Sequence, residues 1–427
     1  MYIRRVVLSG IKGFDNADLS LVGDDDSFDG WSVITGENGA GKTAFLKAIA
    51  LALLGPDQAA SLVPDFSGWI TDGLDSGTIS VEVLPDHDHD KTRKGGFPVA
   101  GTFWAEIEIR RSDRMFDVSS ADIFRNKKKG ALNGPWQSLT PGWFSVGYGP
   151  FRRLYGSSPD AQRLMMLPGR VPRYATLFKE DATLAEGEEW VKTLNYRRLE
   201  QNKEDATILD ALLNLVGDNF LRQGVAIDAV NSDGIWMRDS AGRKMPLSDM
   251  SEGYRSALAM LIDIFRHMVS VFGSENLLSR DEDGRTFIDR PGVVMIDEID
   301  AHLHPAWQRE IGFWLKNHLP RIQFIVTTHS PLVCQAADAG RIYHMPTAGS
   351  GEPFKVSHDE YRRIITGKPD EILLTPAFNL PHTRSPRTVR ARERRARLVA
   401  KERKVGLSPE EKREFEQLDL FAGVLGE

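Results

Sequence analysis

An α/β architecture around a covered parallel sheet is what this sequence predicts, on three observations. Val293–Ile296 and Phe324–Thr328 are short, fully apolar runs rich in β-branched residues, the composition of strands buried on both faces. Segments with helical spacing lie between the strand-like runs, as layered α/β folds require. A glycine-rich loop, Gly36 to Thr43, joins a strand-like run to a helix-like one.

Each element follows from its own residues. Tyr2–Ile11 (YIRRVVLSGI) reads as the first strand, and Gly30–Thr35 as another that runs into the loop. Thr43–Leu54 has helical spacing and strong helix formers. Thr78–Leu84 and Thr102–Arg110 read as strands joined by a polar loop. Trp143–Val146 is a short apolar strand, and Gly147-Tyr148-Gly149-Pro150 after it is expected to turn. Between Tyr155 and Lys244 the pattern changes. Leu184–Leu199 and Ile208–Leu221 are helical but carry no sustained heptad, and Gly224–Pro246 reads as hairpin turns around Asn231-Ser232-Asp233-Gly234 and Ser240-Ala241-Gly242. Gly253–Phe272 is a strongly apolar helix. The implied domains are 1–154, 155–246 as a helical and hairpin insertion, 247–345, and 346–427 as a basic helical tail. Even as two arms of roughly forty residues, the insertion would reach only about 60 Å, a stubby lobe.

Composition narrows the class. The 427 residues are 41% hydrophobic and 27% charged, as in an ordinary globular chain. A net charge of −6 does not announce nucleic acid as a ligand. With one cysteine, Cys334, no internal disulfide forms, and Cys334 itself reads as a packed core thiol. Met1–Phe14 lacks the apolar core of a signal peptide, and no apolar run reaches membrane-spanning length. A cytoplasmic protein without a membrane partner is expected.

Gly36-Glu37-Asn38-Gly39-Ala40-Gly41-Lys42-Thr43 fits G-x-x-x-x-G-K-T without a mismatch, between a strand and a helix. Glycines let backbone N–H groups converge on phosphate oxygens, and the helix that follows points its positive end at the same anion. Lys42 is expected to reach the β- and γ-phosphates of ATP, and the Thr43 hydroxyl to ligate Mg²⁺.

Val293–Ile296 ends in Asp297 and Glu298. The tip of a covered strand is a natural place for polar chemistry. Asp297 is expected to serve Mg²⁺ and Glu298, whose side chain should diverge from it, to polarise the attacking water. Two charges at a strand end facing solvent is the plainer alternative. His329 follows the tip of the second apolar run, where it would lie beside the γ-phosphate. A structural histidine is the commoner case.

Two further segments narrow the class. Leu247-Ser248-Asp249-Met250-Ser251-Glu252-Gly253-Tyr254-Arg255-Ser256 resembles the ABC signature of the RecF, RecN, SMC and OLD-like ATPases. Ile299-Asp300-Ala301-His302-Leu303-His304-Pro305 resembles their D-loop, and Thr328-His329-Ser330-Pro331 their switch histidine. Lys12-Gly13-Phe14 closes an opening strand similar to theirs. Within that group the chain resembles the compact bacterial AAA-annotated ABC ATPases, whose relatives serve as ATPase components of anti-phage systems such as Septu and PARIS. The resemblance implies an ABC-type P-loop NTPase head. It also implies a homodimer, or a higher even oligomer, that sandwiches ATP, with Ser251, Glu252 and Gly253 meeting the nucleotide held by the other protomer. An ordinary helix N-cap is the plainer reading of Ser251. The likeness further implies an effector protein from the same operon. One departure stands out: the Mg²⁺-contacting glutamine of ABC proteins is not apparent. Gly147-Tyr148-Gly149 occupies its place, and Arg152 and Arg153 follow as candidate charge sensors or, more commonly, surface arginines.

The 98 residues after His329 contain no carboxylate cluster of the nuclease type, so no nuclease activity is expected of them. They do contain Arg384–Lys404, with ten lysines and arginines against two glutamates, a net of +8. This run suits the phosphate backbone of DNA, and equally a solvated helix face or a docking segment for an acidic partner. A DNA-repair or DNA-clamping ATPase is therefore the alternative function. Ser408-Pro409-Glu410-Glu411 reads as a capping box for a last helix. Asp86-His87-Asp88-His89-Asp90 invites a metal reading, but a solvated polar loop is the expectation.

Overall fold

The computed structural model describes residues 1–112, 116–121, 129–137, 140–222, 224–275, 277–347 and 349–423. They form two compact units, 1–369 and 370–427.

The first unit is a mixed α/β head. Strand β1 (Tyr2–Ile11) pairs with β2 (Phe14–Ser20) and leads, past β3 (Gly30–Gly36), to β4 (Ser76–Leu84), β5 (Phe103–Arg111) and β6 (Phe116–Ser120). Strands β2-β1-β4-β5-β6 form an antiparallel sheet. Beyond β7 (Ser145–Tyr148) the chain enters a lobe with helices Ala185–Leu199 and Lys203–Gly217 and the sheet of β8 (Ala226–Asn231), β9 (Gly234–Arg238) and β10 (Lys244–Pro246). Fifteen residues per helix give arms of about 22 Å. A long apolar helix, Glu252–Phe272, and a small hairpin of β11 (Leu278–Arg280) and β12 (Thr286–Ile288) return the chain to the core. There β13 (Gly292–Ile296), β14 (Ile322–Thr327), β15 (Ile342–Met345) and β16 (Phe354–Lys355) complete a second sheet of order β16-β15-β3-β14-β13-β7. Its strands are parallel apart from β16.

Helix Lys42–Leu54 is buried along almost its whole length, including Phe45, Leu46 and Ala48 to Leu54. A helix that is apolar on every side has no solvent face to offer. One core cluster accordingly joins it to the antiparallel sheet through Val6, Leu8 and Val81, and to the parallel sheet through Val293, Met295 and Ile325.

Two sequence expectations are corrected here. Gly147 and Tyr148 do not turn; they complete β7. Their glycines serve close approach instead. A Cβ on Gly147 would stand 2.9 Å from Leu177 and Tyr174 atoms, and one on Gly149 would stand 2.2 Å from the Thr176 carbonyl oxygen. The Asp86–Asp90 segment is a loop exposed at His87 and Asp88, but Asp86 and Asp90 are buried. Asp90 is fully buried, pairs with the Met1 amine at 3.0 Å and accepts from the Trp143 N–H at 2.5 Å. Asp86 pairs with Arg321 at 2.5 Å and with His89 at 2.8 Å. The carboxylates of Asp86 and Asp90 thus bind cations and amides of the chain itself.

The second unit holds helices Pro386–Val405 and Pro409–Gly423. Arg394 pairs with Glu414 at 2.8 Å and Lys401 with Glu411 at 2.6 Å, so the acidic helix offsets part of the basic one. Among the described residues no helix is long and apolar enough to cross a membrane.

Candidate functional site

Parallel pairing decides where the site lies. Ile296 of β13 stands opposite Val326 of β14 and Tyr148 of β7, and Thr327 stands opposite Ile34 of β3. The C-terminal ends of four strands therefore share one edge, the usual ligand edge of such a sheet. The phosphate loop leaves β3 there, the acidic pair leaves β13, and His329 follows β14.

The loop reaches the helix through Gly41, the N-cap, at φ 87°. A Cβ at Gly41 would lie 2.6 Å from the Phe14 ring, and one at Gly36 would lie 2.4 Å from the Met345 carbonyl oxygen. Glu37, Asn38 and Gly39 are exposed, while Ala40 and Lys42 are buried. The Lys42 ammonium donates to the carbonyls of Gly36 (2.8 Å) and Glu37 (2.9 Å). Burial lowers its pKa, against the opposing pull of Asp297, Glu298 and Asp300.

Asp297 is buried and accepts from two hydroxyls, Thr43 and Thr327, each at 2.6 Å. Strand alternation does not set the direction of Glu298 relative to Asp297. The strand ends at Ile296 and Glu298 takes a left-handed backbone, φ 45°, with its N–H donating to Thr327 Oγ1 at 2.8 Å. Thr328 donates to Asp300 at 2.6 Å, which ties the D-loop to the strand before His329. The His329 pKa is lowered, first by partial burial and then by the Lys42 charge.

Ser251 is the N-cap of helix Glu252–Phe272, yet its side chain caps nothing. The hydroxyl is not committed as an ordinary cap would be. Glu252 is half-buried and pairs with Arg255. Gly253 is buried, and a Cβ there would stand 2.4 Å from the His302 carbonyl oxygen. Its missing side chain is thus needed for the approach of the D-loop in its own chain. Ser251, Gly253, His302 and Trp307 line a cleft of about 240 Å³. A separate cleft of about 480 Å³ adjoins the phosphate loop, between Lys12, Phe14 and Asn16 and the stretch around Thr347 and Glu352. The two share no lining residue.

The fit to a magnesium nucleotide follows from the donor set. Thr43 and Asp297 offer hard oxygens side by side. Among the described residues no group of three histidine, cysteine or acidic side chains could hold a metal by itself. Magnesium suits such a site, since it usually binds through one or two protein oxygens together with phosphates and water.

Two contributors carry no functional signal in the sequence, and a third carries an ambiguous one. Thr327 holds both Asp297 and Glu298 but is one more β-branched residue in an apolar run. Phe14 reads only as the end of an opening strand. Arg152, which the sequence leaves open between a charge sensor and a surface arginine, is 3% exposed and donates to the carbonyls of Asp297 (2.9 Å) and Glu298 (3.2 Å).

Comparison with known proteins finds two family models that match successive parts of the chain. Residues 5–131 match a family model described as "AAA domain", and residues 136–335 one described as "AAA domain, putative AbiEii toxin, Type IV TA system". The chain is 26% identical over 345 residues to the Septu protein PtuA of Bacillus mycoides (strain KBAB4), covering 80% of this chain and 40% of that one. It is 36% identical over 117 residues to the Retron Ec83 probable ATPase of Escherichia coli, covering 27% of this chain and 19% of that one. The chain thus spans less than half the length of these curated relatives. A solved SMC head bound to the C-terminal winged-helix domain of ScpA aligns with a TM-score of 0.49 at 16% identity, over 84% of this chain and 99% of that one.

Proposed function

We propose that this chain, an AAA-domain relative of the Septu and retron ATPases, hydrolyses ATP as a dimeric switch for a partner effector in anti-phage defence. The observation that carries the reading is the Thr43–Asp297 hydrogen bond at the edge shared by β3, β13 and β14. It joins the phosphate loop to the acidic pair across 254 residues of sequence.

In this reading Gly36, Glu37, Asn38, Gly39, Ala40 and Gly41 wrap the phosphates with main-chain N–H groups, and Lys42 binds β- and γ-oxygens. Thr43 and Asp297 would hold Mg²⁺, which supplies charge neutralisation at the phosphates. Glu298 takes a proton from the attacking water as ATP and water become ADP and phosphate. His329, kept neutral, hydrogen-bonds the γ-phosphate. The cleft beside Lys12 and Phe14 would take the nucleoside. Ser251, Glu252 and Gly253 would meet the nucleotide of a second copy, where an uncommitted hydroxyl at a helix N-terminus favours an anion. Two such contacts make ATP the glue of the dimer, and hydrolysis releases it. The effector would be encoded in the same operon, and the setting would be the cytoplasm.

The basic helix favours one second reading, a DNA-clamping ATPase. Arg384–Lys404 retains a strong positive charge, although Glu411 and Glu414 engage part of it.

Steady-state ATP turnover, with and without duplex DNA at two salt concentrations, tests both. Glu298→Gln should lower turnover on the order of a hundredfold and leave nucleotide binding intact. Equal turnover in the variant would remove Glu298 from the chemistry. DNA stimulation that fades with salt and disappears on deletion of residues 384–427 would favour the second reading.

A further inference from the structure

We propose that Arg152 is a positioning residue for ATP hydrolysis, clamping the carbonyls of Asp297 and Glu298 so that the turn between them keeps the Glu298 carboxylate aimed. This rests on the role given above to the acidic pair and extends it to a residue that lies in none of the motifs.

The guanidinium has an unusual set of partners. Nη1 donates to Gly149 O and Asp297 O, both at 2.9 Å, and Nη2 donates to Glu298 O at 3.2 Å. All three are main-chain carbonyls. Burying a cation is expensive, and capping carbonyls alone would need only a neutral donor. What a guanidinium adds is a planar fork with fixed N–H directions, able to hold two successive carbonyls at a set angle.

The clamped turn is one that needs holding. Glu298 sits at φ 45°, in the left-handed region that a side-chain-bearing residue adopts only at a cost. Thr327 Oγ1 accepts the Glu298 N–H from one side, and Arg152 takes the carbonyls from the other. The stretch that carries Arg152 is anchored in turn. Arg153 forms a bridge with Thr183, and its carbonyl accepts the Leu184 N–H at 2.7 Å, just before the first lobe helix. Arg152 therefore lies on the short path between the lobe and the acidic turn.

The test compares Arg152→Lys and Arg152→Gln with the unmodified chain, by ATP turnover with Mg²⁺, affinity for a fluorescent ATP analogue, and melting temperature. Both variants should lose at least about tenfold in kcat, with the analogue's Kd within about threefold, because the fork acts on geometry and not on binding. Lysine should not rescue, since a single ammonium cannot span both carbonyls. Full kcat in Arg152→Lys overturns the proposal. So does loss of binding, turnover and melting temperature together in both variants, which would mark Arg152 as structural only. If the unmodified chain turns over no more ATP than Glu298→Gln, the reading of the acidic pair has failed and the proposal falls with it. If only the Arg152 variants behave like the unmodified chain, the proposal alone has failed.

Discussion

At the scale of single residues, His329 and Lys42 are coupled through charge. Partial burial and then the Lys42 ammonium hold the imidazole below its ordinary value of 6.5. A histidine depressed in this way is neutral at pH 7 and can meet a phosphate without competing for its charge. Two consequences follow. Protonation of His329 should shape turnover only below pH 6.5. Lys42→Ala should raise the His329 titration midpoint, because one of its two depressing causes is removed; ring-proton NMR titration of the two proteins measures this. A midpoint unchanged in Lys42→Ala would mean that burial alone sets it. The sequence carried both residues through their motifs but gave no sign that they interact, since 287 positions separate them. Arg152 was harder to read, because nothing in Arg152-Arg153 distinguishes the buried arginine from the exposed one.

At the scale of elements, the helices most firmly announced by sequence were those with local signals. Ser408 and Glu411 form the reciprocal bonds of a capping box at 3.2 and 3.0 Å. Strand β2 had no such signal. Its FDNADLS sequence is poor in β-formers, and its state is set by pairing with β1. The turn expected at Gly147–Pro150 failed for a related reason: glycine marks a need for space as often as a need for positive φ. Ser251 and Ser408 separate function from capping. Ser408→Ala should cost the last helix about 1 kcal/mol. Ser251→Ala should change the melting temperature little, because its hydroxyl caps nothing, yet lower turnover by about tenfold if it meets a second protomer's nucleotide. Calorimetry together with turnover assays on both variants distinguishes the two roles. A drop in melting temperature without loss of turnover in Ser251→Ala would return that residue to the ordinary caps.

At the scale of the whole molecule, the sequence revealed which strand ends carry polar residues, and parallel pairing then made the site. What it could not reveal is the buried polar cluster that joins three regions of the head. Tyr148 of β7 donates to Asp263 at 2.8 Å, and Arg266 bridges Asp263 (2.8 Å) and Glu186 of the first lobe helix (3.0 Å). Apolar periodicity gives Asp263 no signature, because it occupies a core position on a helix that reads as strongly apolar. Next to them His267 is nearly buried, and burial depresses its pKa from 6.5 to about 4, with Asp263 pulling up and Arg266 and Arg173 pulling down. The unfolded chain therefore binds more protons at this residue than the folded one between pH 6.5 and 4. Its contribution to stability is fully present above pH 6.5 and is lost as pH falls towards 4, on the order of 3 kcal/mol across that window. Thermal unfolding of the unmodified chain and of His267→Gln, followed from pH 7.5 to 4.5, isolates the effect, since the other acid-sensitive groups are common to both. The difference in melting temperature should shrink or reverse as the pH falls, because only the histidine acquires a buried charge. Parallel curves would show that His267 is protonated as easily in the fold as outside it. The cluster would then have to accommodate a further cation between Asp263 and the arginines at no net cost.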